Sequence, residues 1–353
     1  MATTAVADDR MWRYTTVGVR IREEVLEHRQ IGSNGPSVGI IGMGTMAMAG
    51  WYGERDDTAA AAAINRAIDL GITLFDTADL YGGGDNERFV GGVLKPRRDK
   101  VIFATKWGHV WDEKGWPNGV NGRPERCFEA CDDSLQRLGF DHIDLYYLHR
   151  VDPDVAIEDT IGAMSRLVEQ GKVRWIGVSE TKSETLRRAH ETHPVTALQT
   201  EYSLWSREPE DELFDVCDEL GIGFVGYAPL GRGLLSGKIK KVDDMPETDI
   251  RHNLPRYQEG NIERNKEMIE KLEQMAAEKS CSLPQLALAW IIRKQNNVVP
   301  IQGADRVPFV EDNAAAVDVD LSEEDMARID AANPDGVAAG GRYPDAWMDE
   351  VNR

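Results

Sequence analysis

The stretch Ala59-Ala-Ala-Ala-Ala-Ile-Asn-Arg-Ala-Ile-Asp-Leu-Gly-Ile-Thr-Leu-Phe-Asp76 decides the fold. Its alanines, with Ile64 and Ile68, predict a helix over Ala59 to Leu70. Gly71 stops that helix as a C-cap, and the apolar run Ile72 to Phe75 begins at once, so a buried strand starts where a helix ends. Asp76 is the first charge after the run, placed where such a strand opens to solvent. The same punctuation returns three times: Leu138-Gly139 before Ile143 to Leu148, Gln170-Gly171 before Val173 to Val178, and Leu220-Gly221 before Gly223 to Tyr227. The helix ahead of Gly171 sets Ile157, Ile161, Met164, Leu167 and Val168 on one face, as a helix covering a sheet requires.

Working outward, Val101 to Thr105, Ala197 to Thr200 and Val298 to Ile301 add three more apolar runs. Leu26 to Ile31, a turn at Gly32-Ser-Asn-Gly35, and Val38 to Ile41 predict a hairpin leading into a first core strand. About eight short strands alternating with helices define an α/β chain, a (β/α)8 TIM barrel with an N-terminal hairpin. Pro284 to Lys294 and Ser322 to Ala332 supply extra C-terminal helices. A doubly wound open sheet is the alternative, but it usually has fewer strands and a glycine-rich first turn, and Gly42-x-Gly44 lacks the third glycine. Connections entering strands are short, whereas Trp107 to Gly122, Glu201 to Glu208 and Ala228 to Ile262 leave them and are long. Long loops on one face mark the functional rim. Residues 1–25 are expected to be an extension and residues 26–353 a single barrel domain. The tail Asn333 to Arg353, with Tyr343, Trp347 and Met348, is expected to pack against the barrel.

Composition narrows the partners. The chain has 353 residues, 41% of them apolar, and a formal charge of -20, so it can bury a sizeable core. That charge opposes nucleic acid or an anionic membrane as the main partner. A small-molecule partner is expected, with the chain a monomer or a homo-oligomer. Cys127, Cys131, Cys217 and Cys281 form no Cys-x-x-Cys, and no histidine stands at metal-ligand spacing, so free thiols and no metal are expected. Buried free thiols suit a reducing cytoplasm. Met1 to Arg10 has no apolar signal core, and no apolar run approaches the ~18 residues of a membrane span.

In a barrel, residues that close successive strands share one rim. Here they are Asp76, with Tyr81 just beyond it, then Lys106, His149, Ser179, Gln199 and Tyr227. A lone strand-end Lys or His is most often structural, but four proton-handling groups on three successive strands suit carbonyl reduction. Hydride addition leaves an alkoxide that must be protonated as it forms. A tyrosine titrating near ~10 is a poor acid at neutral pH. A neighbouring ammonium should lower that value, with a carboxylate holding the ammonium in place. Asp76, Lys106 and Tyr81 can form such a chain, with His149 orienting the carbonyl.

Phe75-Asp-Thr-Ala-Asp-Leu-Tyr-Gly82, Thr105-Lys106, Leu148-His149, Gly177-Val-Ser179 and Gly226-Tyr-Ala-Pro-Leu-Gly231 resemble the aldo-keto reductase superfamily, from about Leu26 to the C-terminus. Leu148-His-Arg-Val-Asp-Pro153 and Glu201-Tyr-Ser-Leu-Trp205 look closer to its bacterial and plant branch than to the mammalian aldose-reductase branch. The resemblance implies that Asp76, Tyr81, Lys106 and His149 are the catalytic tetrad. It implies that Ser179 and Gln199 hold the nicotinamide carboxamide, that Tyr227 stacks on the ring, and that Gly44 and Thr45 line its other side. Leu230 to Lys238 resembles the loop over the pyrophosphate, bringing Leu230, Gly231, Ser236 and Lys238 to it. Gly303 to Asn313 resembles the adenosine end, with Asp312 and Asn313 at adenine and Arg306 at a 2'-phosphate. NADPH is the expected cofactor and NADH the alternative. Where family members often have Asn after the serine, this chain has Glu180, an acid that cannot donate to the carboxamide.

The rim is rich in aromatics: Trp51, Tyr52, Trp107, Trp111, Trp116 and Trp205 are all read as lying on loops leaving strands. Trp51, Tyr52, Trp107 and Trp205 are taken as the substrate pocket, which suggests an aromatic or bulky aldehyde or ketone. Two rival functions stand beside this one. The first is a nicotinamide-binding regulatory module without significant turnover, as this superfamily also contains. The second is a Schiff-base aldolase using Lys106 as nucleophile.

Overall fold

The computed structural model describes residues 12–14, 20–22, 26–111, 113, 117–332 and 338–351. Eight parallel strands close into a barrel: β1 (Gly42–Gly44), β2 (Leu74–Asp76), β3 (Ile102–Trp107), β4 (Ile143–Leu148), β5 (Val173–Ser179), β6 (Ala197–Glu201), β7 (Gly223–Tyr227) and β8 (Val298–Gly303). The ring is completed where β8 pairs with β1, Gly303 opposite Gly44. Helices α1 (Asp57–Asp69), α2 (Asp85–Leu94), α3 (Pro124–Leu138), α4 (Ile157–Glu169), α5 (Ser183–Thr192) and α6 (Leu213–Leu220) follow the first six strands. After β7 come α7 (Asn261–Glu278) and α8 (Leu283–Lys294), and after β8 come α9 (Val307–Ala314), α10 (Glu323–Ala332) and the short α11 (Asp345–Met348).

The helix-to-strand punctuation works as its chemistry demands. Gly139 and Gly221 both cap their helices at φ 67°, a left-handed conformation that costs other L-residues energy and glycine very little. On α4, Ile157, Ile161, Met164 and Leu167 are buried, with Val168 at the edge of that face. Cys127, Cys131 and Cys217 are buried and Cys281 is half-buried. Burial pushes the Cys131 and Cys217 thiols up to about 12, so they stay protonated at neutral pH.

The first barrel strand differs from expectation. Val38 to Ile41 is not it: His28–Gln30 and Ser37–Gly39 pair as an antiparallel hairpin, and Gly42-Met-Gly44 enters the barrel instead. Ile31 and Val38 pack on the barrel interior with Leu74, Leu145, Tyr147 and Val299, so the hairpin plugs one end. Ser33 N–H bonds the Gly221 carbonyl at 2.7 Å, which places that end at the start of β7. Space selects the glycine: a Cβ on Gly42 would lie 2.9 Å from Ile301 Cγ2 and 3.2 Å from Leu74 Cβ.

Asp144 interrupts the apolar β4, yet it is buried and satisfied by Arg98 at 2.6 Å, Arg174 at 3.0 Å and the Phe103 N–H at 2.8 Å. Within the terminal extension, Trp12–Tyr14 pairs antiparallel with Arg20–Arg22; the rest of residues 1–25 lies outside the described residues. The tail does pack on the barrel, through Ala338 N–H to the Trp205 carbonyl at 3.2 Å and Arg342 to Glu180 at 3.1 Å. Among the described residues no helix is long and apolar enough to cross a membrane, and no group of three or more His, Cys, Asp or Glu could hold a metal ion.

Candidate active site

Every strand delivers something to the rim opposite the plug. Gly44, Asp76, Ser179, Tyr227 and Gly303 each end their strands, Lys106 is one residue from the end of β3, Gln199 sits within β6 and His149 follows β4. Asp76 and Lys106 form a buried ion pair, and Lys106 Nζ also donates to the Thr77 carbonyl at 2.7 Å. Gln199 Nε2 donates to the other Asp76 oxygen at 2.9 Å. Lys106 Nζ stands 3.4 Å from the Tyr81 hydroxyl. Tyr81 opens a tight turn in which Gly82 and Gly83 adopt φ 60° and 61°, and this turn returns the chain into α2. Asn86 then accepts from both Thr45 (2.7 Å) and Thr77 (2.6 Å), clamping the ends of β1 and β2 together.

Electrostatics departs from the simple expectation. Burial, then the nearby Asp76 charge, pushes the Tyr81 phenol well above its ordinary range. Lys106 does not overcome this at rest, because its charge is shared with Asp76 and burial lowers the lysine itself. Burial likewise raises Asp76 against the pull of Lys106. Tyr81 is therefore a protonated phenol at neutral pH. His149 is held well below its usual value by burial, then by His109 and Arg150, so its ring is neutral. His109 lies edge-on to it at 4.6 Å between ring centroids and is itself lowered to about 3 by burial.

Two cavities meet at Tyr81. A cleft of about 680 Å³ runs from Asp76, Tyr81, Gln199 and Tyr227 past Leu230, Ser236 and Lys238 to Gly303, Asp312 and Asn313. A recess of about 120 Å³ is bordered by Tyr81, His149, Trp51, Tyr343 and Trp347. The cleft has the size and length for a dinucleotide. Gly44 and Gly303 keep side chains out of it, and Lys238 brings a cation to its border. The residues thus fit the expected cofactor.

The remaining expected site residues divide. Leu230, Ser236, Lys238, Asp312 and Asn313 border the cleft, as does Tyr52. Lys238 Nζ lies 3.6 Å over the Phe309 ring, Asp312 accepts from Ser282 and Gln285, and Asn313 donates to Gln302. Ser179 borders the recess with Trp51. Thr45 is buried, its hydroxyl committed to Asn86 and the Asp76 carbonyl. Arg306 borders neither cavity and pairs with Asp56 at 3.2 Å.

Gly231 also lies outside both cavities, packed so tightly on Trp205 that a Cβ would sit 2.4 Å from the indole. Trp107 and Trp205 do not wall the pocket; both are fully buried. Strand alternation explains Trp107: Lys106 points into the barrel mouth, so its neighbour points out, against Tyr146. Trp205 instead supports the 230–238 loop from beneath. Trp116 lies outside the described residues. Glu180 turns away from both cavities, its carboxylate on Arg342 and the Glu201 N–H. His109, Arg150, Arg232 and Tyr343 also border the recess. Only Arg150, adjacent to His149, carried a positional signal in the sequence.

A closed eight-stranded barrel with this rim and a dinucleotide-sized cleft defines the class of NAD(P)-dependent barrel oxidoreductases. The model of the aldo/keto reductase family matches residues 40–334, and the chain belongs to that family. It is 43% identical over 317 residues to the probable aldo-keto reductase 1 of Glycine max, covering 89% of this chain and 91% of that protein. Among solved structures it is similar to the glycerol dehydrogenase of Gluconobacter oxydans, with a TM-score of 0.79 and 28% identity over 88% of this chain and 96% of that one. It is also similar to an aldo/keto reductase of Klebsiella pneumoniae in complex with NADP and acetate, with a TM-score of 0.70 and 28% identity, covering 91% and 99% of the two chains.

Proposed function

We propose that this protein reduces an aldehyde or ketone to the alcohol with NADPH, and that Tyr81 donates the proton. One observation carries the reading: Tyr81 stands at the junction of the dinucleotide-sized cleft and the aromatic recess, with Lys106 behind it and His149 beside it. NADPH, when bound, supplies the hydride. The chain's own work is to hold a neutral phenol and a neutral imidazole at the carbonyl oxygen. A phenol raised by burial keeps its proton until charge develops on that oxygen, and the Lys106 ammonium then steadies the phenolate that is left. Trp51, Tyr343 and Trp347 exclude water and favour an aromatic or bulky body. Lys106 is poorly placed for Schiff-base chemistry, since its side chain is 1% exposed and its ammonium is already bonded to Asp76 and Thr77.

The test is NADPH oxidation with 4-nitrobenzaldehyde by wild type and Tyr81→Phe. Wild type should turn over, and Tyr81→Phe should lose on the order of 10²–10⁴-fold in kcat while NADPH binding by fluorescence persists. Full activity in Tyr81→Phe would remove it as donor. Tight NADPH binding without turnover across a carbonyl panel would favour a regulatory role.

A further inference from the structure

We propose that the recess takes a carbonyl compound bearing a carboxylate, and that Arg150 is the residue that binds it. The proposal rests on the reductase reading and narrows its substrate class. Among the described residues three arginines are buried: Arg150, Arg256 and Arg342. Arg256 has Glu201 at 2.8 Å and Arg342 has Glu180 at 3.1 Å. Among the described residues Arg150 has no carboxylate within the 4.0 Å of an ion pair. It is 7% exposed, follows His149 directly and borders the recess beside Tyr81. Its two hydrogen bonds both leave from Nη1, to the His149 carbonyl at 2.7 Å and the Ser179 hydroxyl at 3.3 Å. Both acceptors are neutral. Nε and Nη2 are left for whatever enters the recess.

A buried guanidinium with no carboxylate in contact leaves its planar fork open, and that fork matches a carboxylate. Three nearby carboxylates already have cationic partners. Asp76 is held by Lys106, Glu180 by Arg342, and Glu201 by Arg232 and Arg256. Glu350 also borders the recess, with an oxygen 4.0 Å from His109 Nδ1, and its charge reaches Arg150 from beyond ion-pair distance. His109 and His149 are neutral and do not compete for an anion. A volume of about 120 Å³ between Trp51, Tyr343 and Trp347 suits a compact, flat body. The geometry therefore favours aryl aldehydes or 2-oxo acids whose carboxylate reaches Arg150 while the carbonyl oxygen lies at Tyr81 and His149.

The experiment compares the three formylbenzoate isomers and phenylglyoxylate with their methyl esters, on wild type, Arg150→Gln and Arg150→Lys. We expect wild type to favour at least one acid over its ester by 10-fold or more in kcat/KM. Arg150→Gln should bring the acid-to-ester ratio of kcat/KM to about one, chiefly through KM for the acid, with the NADPH Kd within 2-fold of wild type. Any loss through the His149 carbonyl contact falls on acid and ester alike and leaves that ratio unmoved. Arg150→Lys, which keeps the charge but not the fork, should fall between, and it replaces Arg150→Gln if circular dichroism shows that variant unfolded. The proposal is overturned if no acid is preferred, if acid and ester fall together in the variant with their ratio unmoved, or if the NADPH Kd rises. That last outcome would assign Arg150 to the nicotinamide carboxamide held near Ser179. If wild type reduces neither the esters nor 4-nitrobenzaldehyde, the reductase reading fails by itself. Calorimetric titration of benzoate then decides the anion site: binding lost in Arg150→Gln upholds it, and no binding to wild type overturns it.

Discussion

Tyr81 and Lys106 shift in opposite directions for the same reason, since burial penalises whichever form is charged. The site is thereby set for reduction, which needs a protonated donor. With Tyr81 pushed above its usual ~10 and His149 below its usual ~6.5, neither group changes state through neutrality. The expected outcome is a kcat for reduction that is flat from about pH 6 to 9 and falls only in strong alkali, where Tyr81 loses its proton. A stopped-flow pH profile checks this, and an ionisation near 7 would contradict it. Lys106→Met should act on two levels. It removes the cation behind the phenol, lowering kcat by roughly 10²-fold or more, and it strands Asp76, costing about 3–5 kcal/mol of stability. Adding Asp76→Asn should recover much of that stability, read by urea denaturation, and none of the activity.

At the scale of elements, the decisive link joins the end of β5 to the tail. Glu180 sits at φ 51°, buried, with both oxygens on Arg342 at 3.1 and 3.3 Å. The next residue, Tyr343, bonds the Tyr227 hydroxyl and Arg232 and borders the recess. Arg342→Ala should therefore destabilise by about 3–5 kcal/mol, since it leaves a buried carboxylate unpaired, and should raise KM for aromatic carbonyls with NADPH affinity little changed. Equilibrium unfolding and steady-state kinetics test the two effects separately. In Glu180→Gln/Arg342→Gln the stability loss should shrink, because neither partner is left as a bare charge.

This link also shows what could be read in the sequence. Helix-stopping glycines, apolar strands and strand-end polar residues are local signals, and they located the barrel strands after the first together with Asp76, Tyr81, Lys106 and His149. Val38 to Ile41 misled because an apolar run can plug a barrel as well as build it, and only the space beside Ile301 selects Gly42. Trp107 and Trp205 misled because an aromatic near a rim does not reveal which way it points. The pairing of Glu180 with Arg342, 162 residues apart, is a long-range contact with no local signature.

At the scale of the whole molecule, acid should be the weak side. His109 falls from 6.5 unfolded to about 3 in the fold, and His149 also falls. A depressed folded value means the unfolded chain binds more protons. The stabilisation from a neutral buried ring is therefore complete above 6.5 and is lost as pH falls through the window down to about 3. Each such histidine contributes a slope of up to about 1.4 kcal/mol per pH unit there. The formal charge of -20 works the other way, because protonating surface carboxylates relieves self-repulsion. That effect is long-range and is screened at about 0.15 M salt, whereas buried rings are screened much less. Urea midpoints at that salt should therefore fall between pH 7 and 5 in wild type and fall less steeply in His109→Gln, which has no proton to gain. Equal slopes in the two proteins would mean that His109 is not held neutral, and the neutral imidazole pair beside Tyr81 would lose one of its members.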